Sequence, residues 1–236
     1  MKYKHLFIDA DNTLFDYSAA ERFSLLETFK STGINCGSDD IVSNYNSINT
    51  QLWMEFEKGD ITLDFLRVER FKRLFAVCGK SSMNEDDYKD IAQKYLDHLG
   101  ASSHMIEGAA GILEKLSRNF ILTLITNGIS KVQRSRLKAA GIEKYFKELV
   151  ISEEIGFKKP EKEFFDEAMR QSGNPVKGEI LVIGDSLSSD ILGGINYSLD
   201  TCWFNPEGKE NTSGITPLYE ISSLDELFKI VDFPDI

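Results

Sequence analysis

The spacing of apolar positions changes twice along this chain. Near the N-terminus Leu6-Phe7-Ile8 forms a short continuous apolar run that stops at Asp9. From about Tyr17 to Gly100 the signals are helical, and no convincing strand appears. A first helix starts at Ser18, carries Phe23, Leu25, Leu26 and Phe29, and closes at Gly33, where a left-handed terminal residue is favoured. Ser38-Asp39-Asp40 caps a second, with Ile41, Tyr45, Ile48, Leu52 and Phe56 on one face before the break at Lys58-Gly59-Asp60. Thr62 caps a third through Phe65, Leu66, Val68, Phe71, Leu74 and Phe75 to Gly79, and Asn84 starts a fourth through Tyr88, Ile91, Tyr95 and Leu99 to Gly100. Four helices in succession predict a bundle-like unit, with Trp53 and the aromatic stripe Phe65, Phe71, Phe75 in its core.

After Gly100 the pattern alternates. A short helix over Gly108 to Arg118 precedes the strand-length run Phe120 to Ile125, and a helix capped by Ser130 and ended by Gly141 leads to a strand around Leu149 to Ser152. Lys162 to Gly173 is helical, Ile180 to Ile183 and Thr201 to Phe204 are strands, and Ser223 with Glu226 has capping-box spacing for a terminal helix. Continuous apolar strands separated by helices predict an α/β fold: a Rossmann-like parallel sheet core with helices on both faces. The core takes residues 1–16 and 101–236, and residues 17–100 form a helical insertion after its first strand.

Charge narrows the ligand classes. A formal net charge of −11 leaves no basic stripe to replace phosphate counterions, which argues against a nucleic acid polymer or an anionic membrane as partner. An anionic ligand then needs a locally positive site; Lys158-Lys159 offers one, while Arg134 and Arg136 read as a solvated helix face. Cys36, Cys78 and Cys202 are odd in number and widely spaced, so they are expected as reduced thiols rather than a disulfide framework or zinc site. His5, His98 and His104 stand apart, without metal-ligand spacing. No signal-peptide apolar stretch follows Met1, and no apolar run reaches the roughly 18 residues a membrane span needs, so a cytoplasmic protein is expected.

The chemistry collects where strands end. Asp9 and Asp11 follow the first strand at positions i and i+2, which point the same way on an extended chain. Such carboxylates repel and raise one another's pKa unless a cation or proton lies between them, and a hard, oxygen-seeking ion such as Mg²⁺ fits best. Asp and Asn also serve as plain turn residues after strands, so this stretch alone leaves both readings open. The second apolar run exits through Thr126-Asn127-Gly128, the run at Ile180 through Gly184-Asp185-Ser186 with Asp190 one helical turn on, and Gly156-Phe157-Lys158-Lys159-Pro160 adds a cation. In an open parallel sheet, ligands bind at these carboxyl ends.

Asp-x-Asp-x-Thr after an apolar strand, then Thr-Asn-Gly, then Lys-Pro, then Gly-Asp-Ser-x-x-x-x-Asp resembles the four motifs of the haloacid dehalogenase-like hydrolases, in that family's order. The resemblance implies that Asp9 is a nucleophile forming an aspartyl-phosphate and that Asp11 is the general acid and base. A carboxylate at position 11 further implies a phosphatase rather than a dehalogenase. It implies Mg²⁺ held by Asp9, the backbone carbonyl of Asp11, and Asp185. Phosphoryl oxygens would be bound by Thr126, the backbone amide of Asn127, and Lys159, with Thr13 and Asp190 in supporting roles. The helical insertion would be the family's cap, which excludes water and selects the leaving group.

Asp190-Ile-Leu-Gly-Gly-Ile-Asn196, Thr201 to Pro206, Tyr219 to Leu227 and, in the insertion, Phe56 to Thr62 are similar to the pyrimidine 5′-nucleotidases of this family, while Tyr197-Ser198 departs from their usual Ala-Gly. That implies a small phosphorylated metabolite as partner, a nucleoside monophosphate. A phosphatase of sugar or polyol phosphates, a phosphomutase and a non-catalytic phosphate- or partner-binding relative remain alternatives.

Overall fold

A computed structural model describes residues 1–34, 40–79 and 83–233. Its core is a six-stranded, all-parallel sheet in the order β3-β2-β1-β4-β5-β6. The strands are β1 (His5–Ile8), β2 (Ile121–Thr126), β3 (Phe146–Ile151), β4 (Ile180–Gly184), β5 (Asp200–Phe204) and β6 (Tyr219–Ile221). β1 is central: His5 to Ile8 register against Ile121 to Leu124 on one side and Ile180 to Ile183 on the other. Both flanks being occupied, every residue of β1 is buried, which is why its sequence is apolar without alternation.

Helices cover both faces. Leu6, Ile8, Leu122, Leu124, Leu181 and Ile183 pack with Leu113 and Leu116 of α5 (Ala109–Leu116) and Leu137 of α6 (Ser130–Ala139). Phe7, Ile125, Val150 and Val182 face the opposite way, onto Phe164, Phe165 and Ala168 of α8 (Lys162–Gln171). Burying each such large side chain is worth roughly 1.5–3 kcal/mol. Between β3 and α8 lies a single-turn helix, α7 (Ser152–Ile155). After β4 the chain makes a π-turn over Leu187–Ile191 that runs into α9 (Leu192–Asn196). The chain then passes through β5 and β6 to a 3₁₀ turn, Leu224–Glu226, and α10 (Leu227–Ile230).

Contacts divide the chain into Met1–Tyr17 with Ser103–Ile236, and Ser18–Ser102. The second unit holds α1 (Tyr17–Thr32) beyond its first residue, α2 (Ile41–Lys58), α3 (Leu63–Val77) and α4 (Glu85–Ala101). The Thr62 hydroxyl accepts from Phe65 N, and Asn84 with Asp87 forms a full capping box. Gly59, at φ 83°, ends α2 with its N–H on the last-turn carbonyls. Tyr45, Phe71 and Tyr95 form the aromatic centre, with ring centroids 5.5–5.8 Å apart.

Several local expectations are corrected. Phe65 is 46% exposed and Trp53 only half-buried, so of the aromatic stripe only Phe71 and Phe75 are core. Gly100 lies inside the last turn of α4 and does not end it. Ser130 is the first helical residue of α6 and not its cap; its N–H donates to Glu153 at 2.7 Å, so α7 supplies the acceptor that a capping side chain would have. β3 begins at Phe146, before the expected Leu149, and ends at Ile151, with Ser152 opening α7. Ser38, Asp39 and Cys36 lie outside the described residues; Cys78 and Cys202 are free thiols. Among the described residues no helix is long and apolar enough to cross a membrane.

Candidate active site

The chain order β1-β2-β3 runs outward on one side of β1 and β4-β5-β6 on the other, so a crevice opens at the carboxyl ends of β1 and β4. Asp9 sits there, its N–H donating to Ile183 O at 2.9 Å. The chain then reverses: Leu14 and Phe15 N–H both reach Ala10 O at 2.9 Å, and Asn12 takes φ 60°, a conformation that Asn tolerates better than most residues. The stretch is thus a tight turn and also a cluster of acids.

Lys159 is 1% exposed, and its Nζ lies 2.6 Å from both Asp9 Oδ1 and Asp190 Oδ1 and 3.2 Å from Ile125 O. Burial opposes this charge, but the Asp190 and Asp9 carboxylates outweigh it and hold the ammonium above the ordinary lysine range. Burial drives Asp9 well above the usual carboxylate range, Lys159 pulls against that, and Asp190 and Asp185 reinforce it. Asp185, which keeps a partly exposed edge, is pushed up to about 7 by desolvation and by Asp190. Trp203 Nε1 donates to its backbone carbonyl at 2.8 Å and fixes the loop.

Ligand oxygens of Asp9, Asp185 and Asp190 lie within 4.8 Å of one another. Lys159 pairs with two of these three carboxylates, so full ionisation of the cluster would leave negative charge unbalanced in a poorly solvated place. An all-oxygen donor set of this charge suits a hard divalent cation. Asp190 lies beside Asp9 and Asp185 and holds Lys159, as its supporting role requires, while the Asp11 side chain is engaged elsewhere. Asp190 Oδ2 also accepts from Ser186 N at 3.2 Å. A Cβ on Gly184 would stand 2.2 Å from that same oxygen, so only glycine leaves room for it.

The remaining predicted residues divide by role. Thr126 is buried, and its hydroxyl accepts from Gly128 N at 3.0 Å. Asn127 commits its side chain to Lys159, accepting from Lys159 N at 2.8 Å and donating to Lys159 O at 2.9 Å. Any ligand contact from Asn127 is left to its main chain. Thr13 is fully buried, and its hydroxyl has no partner among the described residues. Lys158 pairs with Glu161 at 2.7 Å, leaving Lys159 as the cation of the cluster.

Two residues of the site were not expected. Arg136, read as solvated, is fully buried and pairs with Asp11 Oδ1, and Gln133 donates to Asp11 Oδ2. Its neighbour Arg134 is the exposed one, paired with Glu154 at 2.7 Å. The signal was present: Val132, Gln133, Arg136 and Leu137 form the buried face of α6, so the two polar residues share the stripe of the two apolar ones.

The pattern for haloacid dehalogenase-like hydrolases matches residues 6–204. Over 231 residues the chain is 37% identical to the HAD-hydrolase YfnB of Bacillus subtilis, covering 98% of this chain and 96% of that protein. It is 36% identical over 231 residues to the pyrimidine 5′-nucleotidase YjjG of Escherichia coli, covering 98% and 99%. Identity to the pyrimidine 5′-nucleotidase PynA of Streptococcus pneumoniae is 35% over 233 residues, covering 98% and 96%. The crystal structure of magnesium-bound YfnB matches with a TM-score of 0.91 over 99% of this chain and 100% of that one. A family pattern that starts in β1 and ends in β5, with relatives matched nearly end to end, places this chain in the haloacid dehalogenase-like hydrolase family.

Proposed function

We propose that this chain is a Mg²⁺-dependent phosphomonoester hydrolase that works through an aspartyl-phosphate and acts on nucleoside 5′-monophosphates, pyrimidine ones foremost. The observation that carries the chemistry is the buried Asp9–Lys159–Asp190 chain beside Asp185, at the point where strand order reverses. The pyrimidine preference draws on the two nucleotidase relatives, YjjG and PynA.

Asp9 attacks phosphorus, forming a carboxyl–phosphoryl bond as the bond to the leaving oxygen breaks, and Asp11 gives that oxygen a proton. Asp11 then takes a proton from water as the water attacks phosphorus, which releases inorganic phosphate and restores Asp9. Lys159, already positioned against Asp9 Oδ1, faces the phosphoryl oxygens, and Thr126 with the Asn127 amide completes their contacts. Asp9, Asp185 and the Asp11 carbonyl would hold Mg²⁺, with Asp190 beside them holding Lys159; when bound the ion offsets phosphate charge and orients the phosphoryl group for in-line attack. The unit Ser18–Ser102 is the cap, which selects the leaving group.

The test is phosphate release from pyrimidine and purine monophosphates, sugar phosphates and p-nitrophenyl phosphate, each with Mg²⁺ and with a chelator. Metal-dependent preference for pyrimidine monophosphates is expected. Equal release from sugar phosphates would overturn the substrate assignment. Asp9→Asn is expected to abolish turnover with the circular dichroism spectrum unchanged, and undiminished release by that variant would overturn the nucleophile.

A further inference from the structure

We infer that Gln133 and Arg136 are positioning residues that fix the orientation of the Asp11 carboxylate, one donor on each oxygen, so that it can exchange a proton with the leaving group. The inference rests on the reading of Asp11 as acid and base. Arg136 Nη1 contacts Oδ1 and Gln133 Nε2 contacts Oδ2, and the two donors are 0% and 1% exposed. Asp11 itself keeps a quarter of its side chain open to solvent. Water can reach such a carboxylate without a buried cation. Burying a whole guanidinium costs about as much as a pair with a partly open carboxylate returns, so stability is a poor reason for the arrangement.

The geometry around the donors is built for one pose. The Arg136 guanidinium lies 4.2 Å from the ring centroid of Phe15, a fully buried residue of the same turn that carries Asp11. Among the described residues Asp11 is the only carboxylate paired with Arg136, and Arg136 Nε and Nη2 have no acceptor. Gln133 reaches Asp11 across Gly128, where an added Cβ would stand 2.1 Å from Gln133 Nε2. The glycine after the phosphate-binding Thr126-Asn127 pair thus admits the side chain that orients the acid.

A carboxylate held on both oxygens cannot rotate about its last bond, which removes an orientational cost from proton transfer. The charged contact to Oδ1 is the stronger, so Oδ2, held by a neutral carboxamide, is the oxygen that releases its donor and exchanges the proton.

The experiment compares single-turnover release of the leaving group from two substrates. A nucleoside monophosphate expels an alkoxide that needs a proton; p-nitrophenyl phosphate expels a phenolate that does not. Gln133→Met and Gly128→Ala are expected to slow alcohol release about 10-fold or more, with nitrophenolate release and KM within about threefold of the parent. Arg136→Met is expected to lose more and Arg136→Lys to recover part, and in an Asp11→Asn background none of these changes lowers the rate further. Equal slowing of both substrates, or additivity with Asp11→Asn, would overturn the inference and leave a structural role. If Asp11→Asn itself leaves alcohol release unchanged, the assignment of Asp11 fails and the inference with it. Should Arg136→Met not fold, Gln133→Met and Gly128→Ala decide alone.

Discussion

Asn127 and Lys159 exchange two hydrogen bonds, side-chain carboxamide to main chain in both directions, at 2.8 and 2.9 Å. The side chain of Asn127, whose backbone amide is the part expected at the ligand, clamps the segment that delivers the buried ammonium. Asn127→Ala is expected to cost about 1–3 kcal/mol, since each hydrogen bond of this kind contributes roughly 1 kcal/mol and its loss strands a partner. A shift of Lys159 by about 1 Å would lower kcat by up to about 10²-fold, more than it raises KM. Urea unfolding and steady-state phosphate release measure both, and an unchanged kcat would show that Lys159 holds its place without the clamp.

Crowding at Gly184 leads to a second expectation. A methyl group there meets Asp190 Oδ2 at 2.2 Å, Cγ at 2.3 Å and Cβ at 2.6 Å, and so short a side chain cannot swing its end clear while keeping Lys159. Gly184→Ala is expected to destabilise by about 1–3 kcal/mol through overpacking and to cut turnover sharply. The corresponding control is Gly178→Ala, where an added Cβ meets nothing within 4 Å. Equal behaviour of the two variants in thermal melts and phosphate release would refute the packing argument.

The carboxylate cluster links stability, pH and metal. Asp185 is pushed up to about 7 in the folded, metal-free protein, whereas an unfolded chain releases that proton at about pH 3.9. Between those values the folded state keeps a proton that the unfolded state has lost. Its contribution to stability is therefore full below about pH 4 and is lost as pH rises through about 7. Mg²⁺ replaces the proton, so stabilisation by the metal grows over the same interval. At about a hundred times Kd the ion adds about 2.7 kcal/mol, or several degrees at roughly 2–4 °C per kcal/mol. The rise in Tm on adding Mg²⁺ should be larger at about pH 8 than at about pH 5.5, and equal shifts would mean that the metal sits elsewhere.

Much of the fold was legible because buried strands and helix faces have different periods. β1, β2, β4 and β5 read as apolar runs, and α2 to α4 as apolar positions at helical spacing; in α1 Phe23 and Leu26 turn out exposed, and Glu21, Ser24 and Thr28 share its buried face. β6 escaped notice because three residues, Tyr219-Glu220-Ile221, on the sheet edge carry almost no period. The exits of β1, β2 and β4 told where acids and the threonine collect, since that depends on strand direction alone. What each side chain touches depends on tertiary neighbours. Two positions apart on the chain, Asp9 and Asp11 look like partners, yet the turn at Asn12 sends one to Lys159 and the other to Arg136. Arg134 and Arg136 look alike in a charge run; only the helical phase of Val132 and Leu137 separates them.

The central place of β1 has a consequence for how the chain is made. Its hydrogen-bonding neighbours begin at Ile121 and Ile180, so when the N-terminal strand leaves the ribosome neither edge has anything to pair with. The helices of Ser18–Ser102, whose contacts are local, are synthesised next and have all they need to fold first. β1 therefore waits, apolar and open on both sides, until β4 is complete. Nascent chains arrested before Ile180 should expose β1 to protease while the helical insertion already resists it, and protection of β1 in such chains would show that β2 alone is enough to shelter it.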